Sequence, residues 1–444
     1  MTRTTRRIIA GSFILAFLIA APLIILYASG YRYNRKRGTI QGTGAITIST
    51  KPKGATVAMN GIVQNELTPF RITQLFPTTY HLKIEKQGYT SWETTAVVEP
   101  WENKLYPSVR LFSLTSPEAL PSSCAYHSVL SHNPSSSWTL LSSSSTDPFV
   151  LFNADNKKCV SLNTKGALIA TAESLTGNSF AMLTQTRQTI LTLVTPSLIG
   201  KDNIKSIPLK RTATHFALLN DRDAWVWDSA SISRVLNLGS QYLNAKLNVI
   251  DILPMHDGLY TLETDSTGSV ALRLRNNEDP NVYRTLLNLA LSTESQFIGH
   301  SPADTITLLD RRNPRVVLID LADTTIAPLE FPLITHAAWS KNSEYLILSN
   351  DHEISLYHYD KKKNDQRAVL LTRISDTIRS VLLIPEIGYA AYATPTHLSF
   401  ISIDPEIDAY PHTPFSLPES VILGFSSDTL YLASQNTIFR YEVP

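Results

Sequence analysis

The hydrophobic pattern changes character twice along the chain. Residues 8–29, Ile8 to Ser29, carry no charged side chain and are dominated by Leu, Ile, Ala and Phe. As a helix rising about 1.5 Å per residue this run spans roughly 33 Å, enough for a hydrocarbon core of about 30 Å. Pro22 is tolerated inside a membrane helix. Tyr27, Tyr31 and Tyr33 gather at the C-terminal end, where amphipathic rings favour the interface. A single-pass transmembrane anchor over 8–29, behind a short tail 1–7, is the expected element. A cleaved signal peptide is the alternative, because Ala28-Ser29-Gly30 offers small residues; a signal core, however, usually runs only about 7–15 residues.

Beyond residue 44 the period shortens to two. Ala45–Ser49, Thr56–Met59 and Tyr80–Glu85 alternate apolar and polar positions, with turn residues between them. That is the mark of strands buried on one face. Asn60-Gly61 predicts a tight hairpin, since a type I′ turn needs positive φ at both central residues. A small β module over 45–114 is expected, joined to the anchor by a juxtamembrane linker at 30–44.

From residue 126 onward the chain repeats itself. Strand-like segments begin at Trp138, Ser179, His215, Gly258, Thr305, Tyr345, Tyr389 and Thr429, spaced 36 to 47 residues apart. A second segment follows each, beginning at Pro148, Thr189, Ala224, Ser269, Arg315, Glu353, His397 and Thr437. A hairpin recurring about every 40 residues is the signature of a propeller blade. The fold class read here is mainly β: one N-terminal membrane helix, a small β-sandwich module, then a β-propeller over 126–444. Eight blades are expected, or seven if the short third unit is discounted; stacked β-sandwiches are the alternative. The chain ends at Pro444, just after the third strand of the eighth unit. A strand from the segment between Ser108 and Leu120 is therefore expected to close the last blade and remove its open edge, which makes 115–125 a linker or a closing strand.

Two stretches resemble known families. Pro52-Lys53-Gly54-Ala55, Asn60-Gly61, Thr68-Pro69, Tyr80–Ile84 and Gly88-Tyr89-Thr90-Ser91-Trp92 follow the order of motifs in the PEGA domain. Leu67 stands where that family often has glycine, and Pro77-Thr78 where it has Pro-Gly; both positions touch turn geometry only. The resemblance implies an envelope-associated β-sandwich that binds or spaces, often beside a membrane anchor, with no catalytic residue to carry over. Trp339-Ser340-Lys341-Asn342-Ser343-Glu344-Tyr345 resembles the turn of TolB-type propeller repeats.

Charge sharpens this picture only slightly. The net charge of +1 hides an uneven distribution, with seven bases and no acid in residues 1–37, against 32 bases and 38 acids in the rest. A mildly acidic body lacks the basic field that nucleic-acid binding needs, so no nucleic-acid partner is expected. Arg3, Arg6 and Arg7 before the helix nearly balance Arg32, Arg35, Lys36 and Arg37 after it, so the positive-inside count does not orient the anchor. The PEGA resemblance and a Ser/Thr-rich body with two cysteines favour export.

Candidate chemistry is sparse. Cys124 and Cys159 fall at the inner and outer strands of the first unit, which sets them roughly 14 Å apart, beyond the roughly 7 Å reach of a disulfide, unless Cys124 lies on a segment that has returned to the rim. His132, His256 and His300 fall near the ends of first strands, where imidazoles could converge on a metal, but no acid or cysteine accompanies them at fixed spacing, so polar turn residues are the reading. Lys361-Lys362-Lys363 reads as a solvated turn. The motifs of metallopeptidases, serine hydrolases, P-loop proteins and dinucleotide-binding proteins are absent, and no catalytic, metal or cofactor-binding residue is assigned. The expectation is a non-enzymatic scaffold anchored in the cytoplasmic membrane through residues 8–29, exposed on the extracytoplasmic side, presenting a propeller face to a protein or a cell-wall glycan. An envelope hydrolase working in the propeller channel is the alternative.

Overall fold

The computed structural model describes residues 3–444 except 36, 121–125, 133–137, 144–148, 156, 163, 165, 175–178, 196–202, 211, 221–222, 236–243, 247, 256, 266–267, 325–326, 361–366, 405–406 and 409. By its contacts the chain divides into two units: residues 1–115 with 404–414 and 444, and residues 116–403 with 415–443.

The first unit opens with a helix, Arg3–Ala28. Its segment Gly11–Ala28 is long and apolar enough to cross a membrane, and its Phe, Leu and Ile side chains stand exposed. The stretch expected as a linker contains a two-stranded hairpin, Tyr31–Asn34 paired with Thr39–Gly42. Two sheets follow. One runs in the order 62–67, 56–59, 78–85, 92–98, and the other in the order 70–75, 44–51, 103–110. Alternation along these strands aims Ile46, Ile48, Val57, Leu82, Ile84, Trp92, Tyr106 and Val109 into one shared core.

The turn expected at Asn60-Gly61 is present, with φ of 49° and 78°. Thr68 explains why a Thr-Pro pair suits its place: its hydroxyl lies 2.5 Å from that of Thr50 and accepts the Ala55 amide. Gly44 is fixed by crowding. A Cβ there would stand 2.5 Å from Val98 Cγ1 and 2.6 Å from the Glu99 carbonyl. Because backbone cannot yield cheaply, Gly44→Ala is expected to cost about 1–3 kcal/mol, read as a lower urea midpoint.

The second unit is a β-propeller. Among the described residues, eight four-stranded antiparallel sheets follow one another, numbered here first to eighth in chain order. The seven earlier sheets are simple meanders. The eighth takes its fourth strand from Glu118–Ala119, which pairs with Arg440 and Phe439. The closing strand thus comes from the N-terminal side of the propeller, as its open last edge required. Successive sheets pack face to face, as Trp138 does on Phe180 and Phe331 on Tyr357. Phe152 of the first sheet meets Tyr431 of the eighth, with ring centroids 5.3 Å apart, so the ring of sheets is closed.

The expected repeat register holds to within a residue or so, except in the third unit. There the segment at His215 is the innermost strand, and Ala224–Trp227 is the second. The burial pattern gives the reason. His215–Leu218 alternates, as a channel-facing strand does, whereas Ala224–Trp227 is buried throughout, as a strand sandwiched between two sheets must be.

The question left open at the cysteines has an answer on one side, for Cys159 is disulfide-bonded. The chain's other cysteine, Cys124, lies outside the described residues. The separation argument placed the incoming chain at the inner strand. In fact the chain enters the ring along its rim, since Glu118–Ala119 is the outer edge of the eighth sheet and the Leu120 amide still donates to Ile438.

Candidate functional site

A cavity of about 460 Å³ opens where the innermost strands of the fifth, sixth and seventh sheets face the channel. These strands are Ser295–Ile298, His336–Trp339 and Ser380–Ile384. Positions within one residue of their starts bring Gln296, His336, Arg379 and Ser380 to the lining, and Arg311 joins them from the turn between the second and third strands of the fifth sheet. That turn stands at the same end as the starts of the inner strands, because the second strand runs antiparallel to the first. Arg311 Nε donates to Gln296 Oε1 at 3.2 Å. Arg379 has a distant carboxylate, Glu419, at 3.9 Å. Further along the lining lie Ile298, His300, Leu309, Trp339, Ile347 and Ile378.

Both histidines are biased toward the neutral form. Burial lowers the pKa of His300, and Lys341 lowers it further. Burial also lowers that of His336, helped by Arg311 and opposed by Asp351. The lining therefore offers two permanent cations, two imidazoles and serine hydroxyls over an apolar wall. It contains no Asp or Glu among the described residues. Such a set can bind and orient a polar group, but it lacks the paired carboxylates of general acid–base hydrolysis.

The wall is held by Asp251 on the innermost strand of the fourth sheet. Its carboxylate accepts the Ile252 amide at 2.9 Å and, across the sheet boundary, the Phe297 amide at 2.7 Å. Burial pushes its pKa up to about 6, although the two amides pull it down. A native carboxyl that holds its proton more tightly than the unfolded one makes stability fall as pH rises from about 4 to about 6, with the loss persisting above that. Asp251→Asn is expected to flatten this slope, seen by comparing urea midpoints at several pH values between 4 and 7.5.

Of the histidines singled out from sequence, His300 lines this cavity at a φ of 61°, and its carbonyl accepts the Ser343 hydroxyl. His256 and the side chain of His132 lie outside the described residues, as do Lys361, Lys362 and Lys363. Among the described residues, no group of three His, Cys, Asp or Glu is placed to hold a metal ion. Arg311, His336 and Arg379 were not legible beforehand. Their common signal is positional, at a strand start or an inner turn, and it emerges only once the blade register is known.

Residues 43–106 match the family model of the PEGA domain. A search of curated proteins finds no match. Among solved structures, the chain is similar to Sqt1 of Saccharomyces cerevisiae, with 10% identity, 74% of this chain and 100% of that one covered, and a TM-score of 0.49. It is similar to the Cps50 (Swd1) β-propeller domain of Myceliophteria thermophila at 12% identity, covering 74% and 98% with a TM-score of 0.42. A putative 6-phosphogluconolactonase from Bacteroides uniformis is similar at 13% identity, covering 61% and 92% with a TM-score of 0.42.

Proposed function

We propose that the chain is a single-pass protein of the cytoplasmic membrane whose PEGA domain and propeller lie on the extracytoplasmic side. There it acts as a non-enzymatic scaffold that offers the channel-facing cavity to a protein or a cell-wall glycan. The observation that carries the reading is the lining itself, with Arg311, Arg379, His336 and Gln296 set on a closed ring and no Asp or Glu among the described lining residues, Glu419 meeting Arg379 only from 3.9 Å. Propellers suit recognition because their loops are positioned by a stiff scaffold. The disulfide at Cys159 supports the side, since such bonds persist in oxidising compartments outside the cytosol. The alternative, an envelope hydrolase, would need a carboxylate hydrogen-bonded to one of the cavity histidines; Asp351 acts on His336 through its charge.

Photo-crosslinking in growing cells tests the binding role. A photoreactive residue at Gln296 or Arg379 is expected to yield an adduct with an envelope protein or wall glycan, while the same probe at the rim residue Glu330 does not. Equal adducts at all three positions, or none, would contradict the reading.

A further inference from the structure

Resting on the reading of residues 8–29 as a membrane anchor, we propose that Trp101 and the hairpin 31–42 form a lipid-binding collar. The collar seats the first module on the headgroup layer of the bilayer from which the helix emerges.

Five of the six tryptophans are buried, at 0–3% exposure, whereas Trp101 is 62% exposed. It also stands at a φ of 60°, a conformation that bulky residues rarely adopt and that marks a constrained position. The constraint is visible. The Trp101 amide donates to the Thr43 carbonyl at 3.0 Å, and its indole covers Gly42 so closely that a Cβ there would lie 2.7 Å from the ring. Tyr31 meets the same ring edge to face at 5.5 Å.

The level of this ring relative to the helix is fixed. A Cβ at Gly30 would stand 4.0 Å from Trp101 Cδ1, and Gly30 lies two residues past the last helical residue, Ala28. The indole therefore sits where a spanning helix leaves the hydrocarbon, the depth at which Trp and Tyr are enriched. The helix end is tied to the module, for the Gly30 carbonyl accepts both the amide of Thr43 at 3.0 Å and its hydroxyl at 2.7 Å. Arg32 adds a clamp. Its guanidinium donates to the Tyr27 and Tyr31 carbonyls, lies 3.7 Å from the Tyr27 ring centroid, and reaches Gln74 Oε1 at 3.3 Å.

Around the ring, Tyr33 and Ile40 are 61% and 55% exposed, and the hairpin carries Arg35 and Arg37. Glu99 and Glu102 flank Trp101 in sequence, so insertion of aromatic and apolar side chains, rather than charge, drives the contact. An amphipathic indole with a polar N–H suits that boundary.

The test uses the full chain reconstituted into vesicles of phosphatidylcholine and phosphatidylglycerol whose acyl chains carry bromine. Flotation reports anchoring, and the emission difference between wild type and Trp101→Phe isolates Trp101. Flotation with loss of most of that emission, greater for shallow than for deep bromines, is the expected result. Flotation with that emission unquenched overturns the collar and leaves the anchor standing. Failure to float overturns both. Should Trp101→Phe lower the unfolding midpoint, Ile40→Cys carrying an environment-sensitive dye replaces it, and a blue shift on reconstitution is the expected outcome, its absence the contrary one.

Discussion

Replacing Glu263 by alanine is expected to cost about 3–5 kcal/mol of stability, the range for breaking one partner of a buried ion pair. Glu263 and Arg275 on the fourth sheet are 2% and 1% exposed. Arg275 donates from Nε and Nη2 to the two carboxylate oxygens, Arg273 donates to Oε2, and Thr261 to Oε1. Arg275 also donates to the Pro280 carbonyl and lies 4.4 Å from the Tyr283 ring centroid. Without the carboxylate, a guanidinium with almost no access to water is left uncompensated.

Burial alone would raise the Glu263 pKa. Hydrogen bonds from Arg275 and Thr261 and the charges of both arginines outweigh it, so the net direction is downward. A depressed carboxylate stabilises the fold above its unfolded pKa, and this contribution is lost as pH falls through the folded value. The wild type should therefore lose stability on the acid side more steeply than the variant. Glu330→Ala is the comparison. Glu330 is 50% exposed and pairs with Arg315 at 2.9 Å, so its loss should be about 0–1 kcal/mol. Urea unfolding at pH 7 and again near pH 4 checks both values.

The second large effect is expected at Cys159. Its one intrachain partner by sequence is Cys124, which closes a loop of about 35 residues. The chain-entropy relation then gives about 4 kcal/mol for the cross-link. Cys159→Ser should lower the urea midpoint accordingly, and reductant should lower that of the wild type to the same value while leaving the variant unmoved. A midpoint insensitive to reductant would contradict the cross-link.

How far the chain could be read in advance followed from what each pattern encodes. The apolar N-terminal helix rests on composition and the module on turn chemistry. Asn60-Gly61 names its own turn, because two consecutive positive φ values exclude almost every other pair. The propeller was legible because its sandwiched strands are short apolar runs at a fixed period, Val316–Ile319 and Leu430–Ala433 among them. The same criterion misplaced the third unit, where the sandwiched strand Ala224–Trp227 is a run of only four residues. The hairpin at 31–42 was missed since Tyr31-Arg32-Tyr33-Asn34 has no buried face of its own to impose alternation. The cavity was less legible still. Arg311, His336 and Arg379 lie up to 68 residues apart in sequence and meet only because three inner strands share one wall. The disulfide depended on knowing which side of the ring the chain enters.

The central claim is that the propeller faces outward from the membrane that holds it. A C-terminal reporter active only after export, combined with external protease on intact and permeabilised cells, tests it most directly. An active reporter and cleavage in intact cells are the predicted result. An inactive reporter with protection until permeabilisation would place the propeller in the cytoplasm and contradict the account.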